Sequence, residues 1–168
     1  MKRFVLALSV AALGCTSYRV ETGGRPTIDP NSPPPGVATI CVVRPHIAGA
    51  LVPILVRDDG ALVGATRGEG YFCYFAEPGH HEITTVGGDD IDDKLGTTNV
   101  DRATIDAVEG GRYFLVHDLG NIFGVAPLRW VDEPRGRAMI AECEWSTLTG
   151  VPGTEVLPGR TAPAIRAR

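Results

Sequence analysis

The chain contains no hydrophobic run long enough to cross a bilayer as a helix. No stretch approaches about 18 consecutive apolar residues, the length that a membrane-spanning helix requires. Basic residues are also scarce, because 16 lysines and arginines stand against 20 aspartates and glutamates, for a net charge of −4. Neutralising phosphates requires a clustered basic face, so we expect no nucleic-acid partner.

Motifs of common enzyme classes are missing as well. After residue 14 the serines are Ser17, Ser32 and Ser146, and no Gly-x-Ser-x-Gly motif occurs, which argues against a serine hydrolase. Neither a phosphate-binding P-loop nor a dinucleotide-binding glycine pattern is found. A cysteine peptidase needs a cysteine beside a histidine, and no internal cysteine has a sequence context that suggests one.

The N-terminus has the three-part build of a secretory signal. Lys2 and Arg3 form a charged start, and residues 4–13 form an apolar core that is too short to span a membrane. Residues 12–15, Ala-Leu-Gly-Cys, resemble the lipobox of bacterial lipoproteins, with alanine where the best match has leucine. An ordinary secretory signal, cut nearby, is the alternative.

The lipobox resemblance implies that residues 1–14 are a signal peptide and that Cys15 carries acyl chains on its sulfur and its new amino group. Two or three chains make release from a membrane negligible, since each buried methylene contributes about 0.8 kcal/mol. Thr16 stands where an aspartate holds lipoproteins at the inner membrane of enteric bacteria. We therefore expect a lipid-anchored protein of the bacterial cell envelope, with the outer membrane favoured over the inner.

Prolines and polar residues dominate both flanks of the mature chain. Residues 16–36 have no apolar period, so residues 15–36 are predicted to be a lipidated cysteine followed by a flexible tether. Residues 149–168 are predicted to be a flexible C-terminal tail. A single domain over residues 37–148 remains between them.

The central region is typical of β-strands separated by turns. Apolar or alternating segments cover residues 37–43, 51–56, 61–65, 71–75, 81–86, 100–108 and 112–117. Asp59-Gly60 predicts a tight hairpin turn, because these residues tolerate positive φ angles. The pattern predicts a mainly β fold, a small antiparallel β-sandwich with an optional short C-terminal helix. Residues 135–144 fit either that helix or a further strand.

The order of these segments resembles a known family. The relevant stretches are Ile-Cys-Val-Val-Arg-Pro (40–45), Val-Arg-Asp-Asp-Gly (56–60), Leu-Val-Gly (62–64), Pro-Gly-His-His (78–81) and Gly-Gly-Arg-Tyr-Phe (110–114). Residues 37–145 thereby resemble bacterial lipoproteins catalogued as a domain of unknown function and, more loosely, PEGA and carboxypeptidase-regulatory-like sandwiches. The resemblance implies a compact sandwich without established chemistry.

Three cysteines remain if Cys15 is acylated. An oxidising compartment favours one disulfide among them, with one thiol left over. Cys41 and Cys73 are the favoured pair, because each interrupts a strand whose apolar neighbours point to the other face. The pairs Cys41 with Cys143 and Cys73 with Cys143 stay open.

Metal-binding patterns are weak. His80, His81 and His117 can only form a site if neighbouring strands bring them together, and adjacent residues of a strand point to opposite faces. The acidic residues 89–93 lack the spacing of a helix-loop-helix calcium site and are interpreted as a solvated turn. We expect no metal and no cofactor.

The function predicted from the sequence follows from the anchor and from the lack of catalytic motifs. We expect a membrane-anchored lipoprotein whose non-catalytic β-sandwich binds or positions another envelope component, either an envelope protein or the cell wall. One alternative is a metal-dependent or other hydrolase that uses His80, His81 and His117. Another is a periplasmic inhibitor or immunity-type lipoprotein.

Overall fold

The computed structural model describes residues 19–47, 52–87, 101–117 and 127–149. Within these ranges ten strands and one helix follow one another in the chain. They are β1 (Arg19–Thr22), β2 (Ala38–Arg44), β3 (Ile54–Asp58), β4 (Ala61–Thr66), β5 (Gly70–Ala76), β6 (Gly79–Gly87), β7 (Asp101–Ala107), β8 (Arg112–His117), β9 (Leu128–Val131), α1 (Glu133–Ala141) and β10 (Glu144–Thr149). The predicted mainly β fold with one short helix is confirmed.

The strands form two sheets. The larger sheet has the order β1-β10-β5-β2-β8-β9, and the smaller has the order β4-β3-β6-β7. The smaller sheet is antiparallel throughout, as predicted. The larger sheet is mixed, because β10 runs parallel to β5 and β2 runs parallel to β8.

The centre of the larger sheet is buried on both faces. All seven residues of β2 are buried, which is typical of a strand that is covered from both sides. On one face α1 packs so closely that a Cβ on Gly136 would meet the ring of Phe114. On the other face Gly64 of the smaller sheet lies directly against the ring of Phe72. The main core therefore lies between the two sheets, and α1 closes the outer side of the larger one.

The turn between β3 and β4 forms as the sequence predicts, and a side-chain cap marks the start of α1. Asp59 and Gly60 have φ angles of 49° and 80°, which form the tight turn between β3 and β4. Asp132 caps α1, since its side chain accepts a hydrogen bond from the backbone N–H of Arg135 at 2.9 Å. The segment that fitted either a helix or a strand, residues 135–144, is mostly helical, because α1 ends at Ala141 and β10 begins only at Glu144.

The prediction of a flexible tether does not hold for residues 19–36. Strand β1 pairs with β10 in antiparallel register, from Arg19 opposite Thr149 to Thr22 opposite Ser146. The side chains of Val20 and Ile28 are buried. Main-chain pairing with β10 compensates for the few apolar residues of this segment. The predicted signal peptide, Cys15 and most of the predicted C-terminal tail lie outside the described residues.

Candidate functional site

A buried ion pair joins the two hairpins of the smaller sheet. Strand β6 alternates in burial, so that His81, Ile83 and Thr85 face inward. Asp58, the last residue of β3, is 0% exposed and His81 is 2% exposed. The Nδ1 atom of His81 lies 2.9 Å from both carboxylate oxygens of Asp58.

The second nitrogen of His81 also faces an acceptor. Nε2 lies 2.7 Å from the backbone carbonyl oxygen of Glu77, in the turn that precedes β6. Because a carbonyl oxygen and an ionised carboxylate only accept, these contacts assign a proton to each ring nitrogen when Asp58 is ionised. Burial alone lowers the pKa of His81, but the bond to Glu77, the bonds to Asp58 and the charges of Asp58 and Asp59 outweigh it. The pKa of His81 is therefore raised.

The pKa of Asp58 is raised as well. The main cause is burial, to which the nearby charge of Asp59 adds. Hydrogen bonds from His81 and from the hydroxyl group of Tyr74 act in the opposite direction. The arrangement is thus a desolvated carboxylate that is compensated by an imidazolium and by a phenol from the larger sheet.

Asp59 completes the cluster at the surface. Its backbone N–H donates to the carbonyl oxygen of Glu82 at 2.9 Å, and its Oδ1 atom accepts from the backbone N–H of Glu82 at 3.0 Å. Its other carboxylate oxygen lies 3.9 Å from Nδ1 of His81. These bonds hold the β3–β4 turn against β6.

Asp58, Asp59 and His81 form the one group in the described part of the chain whose donor atoms converge closely enough for a metal ion. Two carboxylates and an imidazole suit zinc, and the Nε2–H bond to a carbonyl is the usual support of a metal-binding histidine. A metal at this site would have to displace the proton on Nδ1. Asp58 and His81 are also sealed from solvent, so a substrate has no access to either.

The three histidines named in the sequence analysis are not brought together. His80 points to the opposite face from His81 and is exposed, with Nδ1 2.8 Å from the carboxylate of Asp106 on β7. His117 is buried in β8 of the larger sheet. The predicted acidic turn at residues 89–93 lies outside the described residues.

A disulfide joins Cys41 of β2 to Cys73 of β5, the pair that the sequence favours. The two residues are directly opposite each other in the antiparallel register, and both are buried. Cys143 is a free cysteine whose pKa is raised to about 11 by burial and by the charges of Glu69 and Glu142. Its thiol is therefore protonated at neutral pH and is a weak nucleophile.

Sequence reasoning missed the partnership of Asp58 with His81. The available signal was Asp58 itself, because a residue two positions after Val56 and four after Ile54 lies on the same inward-facing side of the strand. A charge at such a position requires a buried partner. The sequence did not show which residue this is, because the partner lies 23 residues further along the chain.

Comparison with known proteins adds no assignment: no protein-family model, curated protein or solved structure matches the chain. No helix of the described ranges is long and apolar enough to cross a membrane. The function must therefore be argued from the residues and contacts of this chain.

Proposed function

We propose that the chain is an exported lipoprotein, anchored in the bacterial cell envelope through Cys15, with the outer membrane favoured. Its β-sandwich is non-catalytic and binds or positions an envelope protein or the cell wall. The proposal combines the lipobox-like N-terminus with two features of the folded domain, a buried disulfide and a sealed ion pair.

The disulfide is the observation that best supports an oxidising compartment outside the cytosol. Cys41 and Cys73 lie on neighbouring central strands, both essentially without solvent exposure. Disulfides of this kind form and persist in oxidising compartments, whereas cytosolic thiols are kept reduced. Export across a membrane is what the charged start and short apolar core of the first 14 residues predict.

The sealed ion pair supports a non-catalytic role. A general acid or base must reach a substrate proton within hydrogen-bonding distance. In His81 both ring nitrogens are engaged by protein acceptors, and neither His81 nor Asp58 has appreciable exposure. The ion pair holds the β3–β4 turn to the turn before β6. The domain itself acts through its surface.

The anchor is tested by lipid labelling of the full-length protein in cells that receive labelled palmitate. We expect label on the wild-type chain, with the protein in the membrane fraction, and neither result for Cys15→Ser. Cys143→Ser is the matched control, since it removes a cysteine that takes no part in the disulfide and should leave labelling unchanged. Membrane retention of an unlabelled Cys15→Ser protein would contradict the lipoprotein assignment.

The binding role is tested by cross-linking intact membranes that contain the lipidated protein. We expect one envelope protein, or cell-wall fragments, to be cross-linked to the wild-type chain. A Cys41→Ala/Cys73→Ala variant, which loses the disulfide between the central strands, should give less of the product. Turnover of a substrate by the purified domain, lost in Asp58→Asn, would favour the hydrolase instead.

A further inference from the structure

The structure describes the chain from Arg19, four residues after the proposed lipid on Cys15, and this residue already belongs to a strand. Strand β1 starts at Arg19 and is held by four register pairs with β10. Directly after β1, the backbone N–H of Gly23 donates to the carbonyl oxygen of Trp145 at 2.9 Å. Arg19, the first residue that the structure describes, is therefore already part of the sheet.

The following residues are fixed as well. Ile28 is 7% exposed and belongs to the main core. The carbonyl oxygen of Asn31 accepts from Nη1 of Arg112 at 3.4 Å, and the backbone N–H of Gly36 donates to Oε1 of Glu109 at 2.7 Å. These contacts are distributed along residues 19–36, so this stretch does not serve as a spacer.

The distance available to the anchor follows from chain length. Residues 16–18 separate Cys15 from Arg19, and four Cα–Cα steps reach at most about 15 Å. A free spacer over the whole of residues 16–36 would instead average about 25 Å and could extend much further. A domain of this size has a radius of gyration of about 13 Å and hence a diameter of about 35 Å. The connection is therefore shorter than the body that it holds.

We infer that the lipid on Cys15 holds the domain directly against the membrane surface, with the β1 edge of the larger sheet as its membrane-facing side. This inference rests on the proposed lipid anchor. The β1 edge contacts the layer of lipid headgroups. This contact determines which faces of the domain remain available to an envelope component.

Exposed arginines lie near this edge, where they can meet headgroup phosphates, although Arg19 also lies 3.7 Å from the exposed carboxylate of Glu21. The side chain of Arg19 is 77% exposed, and Arg25 is exposed shortly after β1. Arg19 lies opposite Thr149, so the chain enters and leaves the described domain at the same edge. Residues 150–168, which continue from this point, contain three arginines and one glutamate. Basic residues close to a lipid surface are attracted by its anionic groups.

Contact with the membrane also protects the open edge of β1. β1 is the outermost strand at its end of the larger sheet, as far as the described strands show. Outer strands offer unpaired main-chain groups to other chains and are usually protected in some way. A membrane within about 15 Å restricts the approach of a second chain to this edge.

Energy transfer to a headgroup-labelled lipid tests the orientation. The lipidated, full-length protein is reconstituted into vesicles and carries one fluorophore, in a Cys143→Ser background. The label is placed either at Glu21→Cys in β1 or at Pro127→Cys, both exposed positions. Pro127 directly precedes β9, the outer strand at the opposite end of the larger sheet, and five strand spacings place β9 about 24 Å from β1. A second variant has a flexible Gly/Ser insert of about 20 residues between residues 18 and 19, and its control has the same insert between residues 149 and 150.

We expect more efficient transfer from position 21 than from position 127, and loss of this difference with the insert after residue 18. The insert after residue 149 should leave the difference intact. Equal transfer from both positions in vesicle-bound protein with the native connection would overturn the orientation while leaving the lipid anchor standing. Failure of the protein to sediment with the vesicles would overturn both.

Discussion

The cost of breaking the Asp58–His81 ion pair is the sharpest test of the buried cluster. Replacing Asp58 with Ala leaves the imidazole of His81 in a sealed site without the acceptor for its Nδ1–H. Removing one partner of a buried charge pair costs about 3–5 kcal/mol. We therefore expect Asp58→Ala to lower the free energy of unfolding by that amount.

The adjacent histidine provides the control. His80 is paired with Asp106 at a similar distance, but both side chains are largely exposed. Exposed ion pairs of this kind contribute less than about 1 kcal/mol, since solvent screens them. Asp106→Ala should consequently change the stability little, although it removes the same type of interaction from the neighbouring residue.

The assay is urea unfolding, followed by the fluorescence of Trp130 and Trp145. Asp58→Asn is a second variant, because its amide oxygen can still accept from Nδ1 and should limit the loss. An Asp58→Leu/His81→Phe double variant should regain part of the stability, as apolar replacement of a buried pair is often tolerated. The reasoning is refuted if Asp58→Ala costs no more than Asp106→Ala.

The same pair makes the stability depend on pH. The pKa values of His81 and Asp58 are both raised in the folded chain, so the folded chain binds more protons than the unfolded one. Stability must then fall as pH rises. The contribution of His81 is complete below its ordinary pKa of 6.5 and is lost as the pH passes its raised folded value. Unfolding at about pH 5 and about pH 8 should show this decline in the wild type and a smaller one in Asp58→Leu/His81→Phe.

Two further expectations concern the disulfide and metal binding. Cys41 and Cys73 are separated by 32 residues, and the entropy of closing such a loop predicts that Cys41→Ala/Cys73→Ala loses about 3–4 kcal/mol. Reduction of the wild-type protein should lower its unfolding midpoint to that of the double variant. Equal midpoints with and without reductant would argue against the disulfide. Elemental analysis of the purified protein should find no metal in stoichiometric amount. One zinc per chain, lost in Asp58→Asn, would instead make Asp58, Asp59 and His81 a metal centre.

Local signals in the sequence were sufficient for most of the strands. Continuous apolar runs or alternation placed the segments that became β2 to β8. Asp59-Gly60 predicted the turn between β3 and β4, because the required φ angles depend on those two residues alone. The helix was ambiguous since its residues fit two periods. The cap at Asp132 settles where α1 begins.

Features that depend on distant partners were not predictable in the same way. Alternation shows that His80 and His81 face opposite sides, but the inward residue is identified only by its contact with Asp58, which the register of β3 against β6 determines. Likewise, residues 19–36 resemble a spacer because their own apolar content is low. Their place in the fold comes from β10 and from contacts with Glu109 and Arg112, all far along the chain.

The pairing of β1 with β10 also determines when the domain can be completed. Thr149 and Arg19 are 130 residues apart, and their side-chain to backbone hydrogen bond joins the first described strand to the last. Such long-range contacts form slowly, since a large loop must close before they contribute. If the chain is exported from its N-terminus, β1 reaches the far side of the membrane first and has no partner until nearly the whole chain has followed. In that case the larger sheet stays incomplete until β10 has arrived, so we expect the pairing of β1 with β10 to be a late step of folding.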